Sequence, residues 1–270
     1  MTGPGEVCAV VTDLDGTIVR GDETVSAATY RAVRELRARG MPLVVATART
    51  PAGLSVLGPI LPLVSLAVCC NGSLGYRPAD GRVLWREVIA APAVRGLVDT
   101  LARDLPAAGF GVYSGYEWLL SPGYYAARGK WPSGPRQIVP VGVAARAPAC
   151  AMGICQAGRS SADLAALLRA DAGRSAPVSL SYGASDVLDA APYGIDKGTG
   201  LVRGCDLIGL DPARAIGFGD GLNDLPMFSV LGCAVAMANA QEEVQARAGA
   251  TTGSVDEDGF VAHLAELGLV

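Results

Sequence analysis

The stretch "VVTDLDGTIVRGD", residues 10–22, sets two aspartates, Asp13 and Asp15, one residue apart where an apolar run ends. Asp and Gly are poor strand residues, and like charges at this spacing repel. The run itself, "VCAVV" over 7–11, reads as a short strand buried on both faces. The acids therefore belong to a turn at the strand's C-terminal end. A turn so costly locally implies a task for the carboxylates.

Outward from this point the chain keeps an alternating rhythm. "SAATYRAVRELRARG" (26–40) predicts a helix, with Ser26 as N-cap and Gly40 closing it. "PLVVAT" (42–47) predicts a second apolar strand, followed by a short helix after Pro51 and a strand over 64–69. The rhythm changes between about 74 and 190. "GYRPADGRVLW" predicts a hairpin, 92–105 an amphipathic helix, and "FGVYS" with "EWLLS" a strand pair turning at Gly115–Tyr116. "MGICQ", a helix over 161–172, "VSLSY" and "DVLDA" continue the mixed pattern, and 121–149 reads as loop. After 195 the first rhythm returns: a helix after Lys197, a strand over 214–219, a helix opened by "NDLPMFSVLG", a strand over 233–238 and a last helix over 258–268.

The expected fold is α/β, a Rossmann-like parallel sheet with helices on both faces, interrupted by an inserted α+β domain. The expected boundaries are 1–75 and 191–270 for the core and 76–190 for the insertion. A chain of 270 residues, half of them hydrophobic, has room for both. The net charge of −4 and the absence of a basic block speak against nucleic acid. Seven cysteines without regular spacing read as reduced thiols of a cytoplasmic protein, and "MTGPGEV" has no signal-peptide pattern. The uncharged stretch from Thr50 to Tyr76 carries three prolines and reads as buried helix and strand rather than a membrane span.

Polar groups interrupt the core strands at their C-terminal ends. Asp13 and Asp15 follow the first, Thr47 and Arg49 the second, and Asn71 with Gly72 the third. Asp220, Asn223 and Asp224 follow the strand over 214–219, and Lys197 opens the helix feeding it. In a parallel sheet these ends share one edge. Several carboxylates gathered there call for a hard cation such as Mg²⁺, which also takes phosphate oxygens, with a Lys and a Thr hydroxyl to face the phosphate. Residues i and i+2 share a side of an extended chain. Asp13 is thus expected to attack phosphorus while Asp15, pushed up by its anionic neighbours, donates a proton to the leaving oxygen.

Each element alone also has an ordinary reading: a turn, a helix cap, a buried Thr, a surface Lys. Competing motifs fail. Ile18 and Thr24 stand where a calcium loop needs Gly and Glu. Leu222 stands at the last glycine of a dinucleotide loop. No Walker sequence precedes either Lys, and the single histidine, His263, is expected exposed or packed in the last helix.

"DLDGT" (13–17), "ATAR" (46–49), "DKGTGL" (196–201) and "GFGDGLNDLPM" (217–227) resemble, in order, the four motifs of the haloacid dehalogenase superfamily. The insertion between the second and third resembles the type IIB cap of its Cof-like phosphatases, and "NG" at 71–72 is similar to that group too. The resemblance implies Asp13 as nucleophile and Mg²⁺ ligand, and Asp15 as general acid/base with its carbonyl on the metal. Thr47 and Lys197 would bind the phosphoryl group, Asp220 would ligate Mg²⁺, and Asn223 and Asp224 would support the phosphate and the metal shell. The aromatic residue common before the nucleophile is Thr12 here, and the common Thr-Gly-Arg is Thr47-Ala48-Arg49. The expected function is a Mg²⁺-dependent phosphatase on a small phosphate ester, a sugar phosphate above all, as monomer or homodimer. Its alternatives are a phosphomutase and a non-catalytic sugar-phosphate-binding regulator.

Overall fold

In the computed structural model, which describes residues 7–170, 178–182 and 186–270, the chain forms two compact units. One joins Met1–Trp85 to Asp196–Val270, and the other is Arg86–Ile195. The N-terminal "MTGPGE" and the last two positions of the helix expected over 161–172 lie outside the described residues.

The first unit begins with β1 (Ala9–Thr12), α1 (Ala27–Ala38), β2 (Leu43–Ala46) and β3 (Leu66–Cys69), then the hairpin β4 (Leu74–Arg77) and β5 (Arg82–Arg86). The second unit follows with α2 (Ala91–Asp104), β6 (Gly109–Tyr113), β7 (Trp118–Leu120), α3 (Tyr124–Arg128), β8 (Arg136–Ile138) and α4 (Val141–Ala144). It ends with β9 (Ala151–Cys155), α5 (Ser161–Ala170), β10 (Val178–Ser181) and β11 (Leu188–Pro192). The chain then returns to the first unit with α6 (Lys197–Ile208), β12 (Ala215–Gly219), α7 (Leu225–Phe228), β13 (Cys233–Ala236), α8 (Glu242–Arg247), β14 (Ala250–Thr251) and α9 (Gly259–Glu266).

Among the described residues the first unit holds an eight-stranded sheet in the order β14-β13-β12-β1-β2-β3-β4-β5. From β14 to β3 all neighbours are parallel. β4 turns antiparallel to β3, with Ala67 opposite Tyr76. β1, β2, β3 and β12 are buried along their whole length, as continuous apolar runs require when both faces are covered. Alternation divides the two faces. Ala9, Val11 and Ala215 pack with Leu201 and Cys205 of α6, Met227 and Phe228 of α7, and Val244 of α8. Phe218, pointing the other way, meets Phe260 of α9 edge-on at 4.9 Å and His263 at 5.7 Å. His263 is thus a packed ring, its pKa lowered by burial. Each fully buried Leu, Ile or Phe here contributes about 1.5–3 kcal/mol.

Residues 76–85, expected in the insertion, lie in the first unit, where the β4–β5 hairpin joins its sheet. Trp85 shows why. Its ring is buried with Leu66, Val68 and Leu201, and its indole Nε1 donates to the Gly72 carbonyl at 3.1 Å.

The second unit is a six-stranded sheet in the order β10-β11-β9-β6-β7-β8, antiparallel except for β7 with β8. α2 and α5 pack on it through Val94, Leu97, Leu101, Leu164 and Leu168. The 121–149 stretch, expected as loop, contains α3, β8 and α4. These elements span three to five residues, too few for any hydrophobic period to register. Among the described residues no helix is long and apolar enough to cross a membrane.

Candidate active site

The α6 N-terminus places the key cation. Asp196 and Thr199 form a reciprocal cap: the Asp196 carboxylate accepts from Thr199 N at 2.8 Å, and Thr199 Oγ1 accepts from Asp196 N at 2.9 Å. The cap makes Lys197 the first helical residue. A Cβ at Gly200 would meet Gly72 Cα at 2.5 Å. Its absence lets the helix lie against the 70–72 turn, with Lys197 buried to 1 % exposure.

Lys197 Nζ donates to Asp13 Oδ1 at 2.8 Å and to Asp224 Oδ1 at 2.7 Å. Asp13 continues the sheet pairing beyond β1, donating its N–H to the Phe218 carbonyl at 2.9 Å. Asp224 Oδ2 accepts from Asp220 N at 3.0 Å and Gly221 N at 2.9 Å, closing the loop after β12. One oxygen each of Asp13, Asp220 and Asp224 lie within 4.8 Å of one another, all three residues buried. Acids 207 residues apart in the chain thus meet at one sheet edge, as the strand-end reading requires.

The charge balance is uneven: three buried carboxylates face one ammonium. Burial, which alone would lower the Lys197 pKa, is outweighed by Asp13 and Asp224, and the ammonium is held well above its ordinary range. Asp13 is pushed well up by burial, against the pull of Lys197 and with the push of Asp224 and Asp220. Burial, then Asp224, raises Asp220 to about 7. Buried, like-charged oxygens at this spacing leave a deficit of positive charge that a hard divalent cation fits. Among the described residues Asp13 Oδ2 and Asp220 Oδ1 receive no hydrogen bond.

Gly16 lets Asp220 approach. Its φ is +78°, and a Cβ there would sit 2.7 Å from Asp220 Cγ. Asp15 departs from the expectation. β1 ends at Thr12, so strand alternation does not extend to Asp13 and Asp15, and the Asp15 carboxylate is not one of the buried trio. It is half exposed and gripped by Arg49, whose Nε and Nη2 donate to its two oxygens at 2.8 and 2.6 Å. Both oxygens are acceptors in this fork, so the expected proton donor is here a paired carboxylate. That fork also raises the Arg49 pKa.

Thr47, Asn71 and Asn223 join through a second set of bonds. Thr47 is fully buried, and its Oγ1 accepts from Arg49 N at 3.1 Å. Asn71 N donates to the Thr47 carbonyl at 3.0 Å, and Asn223 Nδ2 donates to Asn71 Oδ1 at 3.2 Å. Cys70, Asn71 and Gly72 all take positive φ (53°, 50° and 103°), a strained turn that the Trp85–Gly72 bond secures. The sequence reading missed Asn239, which reaches the Gly16 carbonyl and Asp220. An Asn in a loop carries no local signal for such a link.

The family model for haloacid dehalogenase-like hydrolases matches residues 10–264. The chain belongs to this family. Among the haloacid dehalogenase-like hydrolases it is similar over 95 % of its length to the Bacillus subtilis 5-amino-6-(5-phospho-D-ribitylamino)uracil phosphatase, at 26 % identity and 96 % coverage of that enzyme. A shorter segment, 25 % of this chain, is 46 % identical to the Haloarcula marismortui phosphoglycolate phosphatase, of which it spans only 30 %. A solved structure of a subclass IIB sugar phosphatase superposes with a TM-score of 0.83 at 20 % identity, covering 97 % of this chain and 99 % of that one. The fold is that of the family, and the chain is an enzyme of its hydrolase class.

Proposed function

We propose that the protein is a Mg²⁺-dependent phosphatase that hydrolyses a small phosphorylated metabolite, a sugar phosphate above all, through an aspartyl-phosphate on Asp13. The observation that carries this reading is the buried trio Asp13, Asp220 and Asp224 around Lys197. A bound Mg²⁺ would neutralise charge on the transferring phosphoryl group. Asp13 and Asp220, each with an oxygen that no protein donor occupies, would hold it, together with the Asp15 carbonyl. Asp224 has both oxygens engaged and acts chiefly by holding Lys197 and the 220–224 turn.

Lys197 holds Asp13 Oδ1 and so orients the carboxylate for attack on phosphorus. Lys197, Thr47 and Asn223 balance charge on the phosphoryl oxygens, and phosphoryl transfer asks mainly for such positioning. Asn71 and Gly72 shape the wall beside Thr47. Asp15 protonates the leaving oxygen and later takes a proton from water. It does so after giving up at least one arm of the Arg49 fork, which otherwise parks it.

Substrates of the named relatives, phosphoglycolate and a phosphoribitylamino-uracil, are small-metabolite monoesters and support that class here. The reading takes the enzyme as cytoplasmic, a monomer or homodimer, acting on soluble esters with neither nucleic acid nor membrane as partner. A phosphate-release screen over sugar phosphates, nucleotides, phosphoglycolate and pyridoxal phosphate tests it, with Mg²⁺ and with chelator. Mg²⁺-dependent release from at least one ester is expected. Release indifferent to chelator, or isomerised sugar phosphate without free phosphate, contradicts it.

A further inference from the structure

Asn239 sits beyond the end of β13, and both ends of its side chain are engaged. Nδ2 donates to the Gly16 carbonyl at 2.8 Å and reaches Asp220 Oδ2 at 3.4 Å. Oδ1 accepts from Val255 N at 2.9 Å. One planar amide therefore ties together the turn after β1, the loop after β12 and the 252–258 loop before α9. Only an amide side chain offers two donors and an acceptor in one rigid plane. The tie meets Asp220 where its freedom is already small, because the Gly16 backbone packs against that carboxylate.

The 252–258 loop does not depend on Asn239 alone. Thr252 N donates to the Ala236 carbonyl at 3.0 Å and Thr252 Oγ1 to the Gly259 carbonyl at 2.7 Å. Arg20 Nη2 donates to the Asp256 carbonyl at 3.3 Å and to Asp258 Oδ1 at 3.2 Å. The loop is thus clasped from β1's side by Arg20 and from β13's side by Asn239. Of these two clasps, only Asn239 touches an acid of the trio.

We propose that Asn239 is a positioning residue that fixes the Asp220 carboxylate against the Gly16 turn and so sets the affinity of the acid cluster for a divalent cation. The proposal rests on the reading of that cluster as a Mg²⁺ site. Mg²⁺ tolerates little departure from octahedral geometry, so a carboxylate free to rotate binds it less well. Groups that orient a ligand through a hydrogen bond typically govern affinity by about 10–100-fold.

Calorimetric titration of the chelator-stripped full chain with Mg²⁺ tests this, with folding of each variant checked by circular dichroism. Asn239→Ala removes every contact of the amide and is expected to weaken Mg²⁺ binding about 10-fold or more. At saturating Mg²⁺, turnover is expected to return toward that of the parent protein. Asn239→Gln, with its amide one methylene out of register, provides a milder second variant with a loss in the same direction. Arg20→Gln opens the other clasp of the same loop and is expected to leave Mg²⁺ affinity unchanged. Affinity within about twofold of the parent in folded Asn239→Ala or Asn239→Gln overturns the proposal. So does an equal loss in Arg20→Gln, which would assign the effect to the loop at large. A parent protein that binds no Mg²⁺ overturns the cluster reading itself, a result distinct from both.

Discussion

Gly16→Ala adds one methyl group at the point where the turn after β1 meets the acid cluster. At φ +78° an alanine costs about 1–2 kcal/mol in backbone strain alone. The new Cβ would also stand 2.7 Å from Asp220 Cγ, inside any tolerable contact. Asp220 is short, and its backbone is held by Asp224 Oδ2, so relief comes from swinging the carboxylate by about 1 Å. That breaks its contact with Asn239, at a further cost of about 1 kcal/mol. The total, about 2–3 kcal/mol, lowers Tm by roughly 4–12 °C at about 2–4 °C per kcal/mol. The fold survives such a loss. The chemistry does not, because a misplacement of about 1 Å at a catalytic group costs on the order of 100-fold in rate. Thermal melting followed by circular dichroism, with turnover at saturating Mg²⁺ on the best ester of the screen, separates the two effects. A Gly16→Ala protein with parent-like turnover would refute the placement of Asp220 in the site.

Lys197→Met leaves Asp13 and Asp224 buried without their cation. It is expected to cost about 3–5 kcal/mol at neutral pH, with turnover lost; urea unfolding measures it, and a loss under about 1 kcal/mol contradicts the burial argument. Asp220 titrates near 7 when folded and near an ordinary carboxylate value when unfolded, so its folded form holds the proton more tightly. Its contribution to stability is full below about pH 4 and lost as pH rises through about 7. The metal-free protein should therefore weaken between about pH 4 and about pH 7, and saturating Mg²⁺ should flatten that slope. A flat metal-free profile in urea melts counts against the crowded acids. Trp85→Ala empties the space between the sheet and α6 and orphans the Gly72 carbonyl, for an expected loss of about 3–5 kcal/mol; denaturant midpoints check it. Asp15→Asn is expected to slow hydrolysis of alkyl phosphates about 100- to 10,000-fold and that of p-nitrophenyl phosphate far less, since a good leaving group needs no proton. Equal losses on both esters would remove Asp15 from the acid role.

The parts of the site that belong to strand ends were legible because chemistry and topology restrict them together. Asp13, Asp220, Asp224 and Lys197 are expensive to bury, and a parallel sheet brings its C-terminal ends to one edge, where the four do meet. The pairing of Asp15 with Arg49 has no signature in the sequence. Period-2 alternation holds only while the strand lasts, and β1 stops at Thr12. The hairpin over 74–86 looks the same in sequence whether it joins the first sheet or the second. Trp85, placed by pattern in the insertion, decides the matter through packing and a bond to a carbonyl 13 residues away. Asn239 contacts Gly16 across 223 residues through a side chain with no local signature. The short elements α3, β8 and α4 are held by neighbours rather than by any pattern of their own.

Borohydride quenching during turnover bears most directly on the central claim that Asp13 carries the phosphoryl group. An acyl phosphate is reduced to the alcohol, so peptide mapping of enzyme quenched with Mg²⁺ and a hydrolysed ester present is predicted to find homoserine at position 13 and nowhere else. Reduction at Asp15, Asp220 or Asp224, or an unmodified Asp13 under conditions of active turnover, would contradict the account.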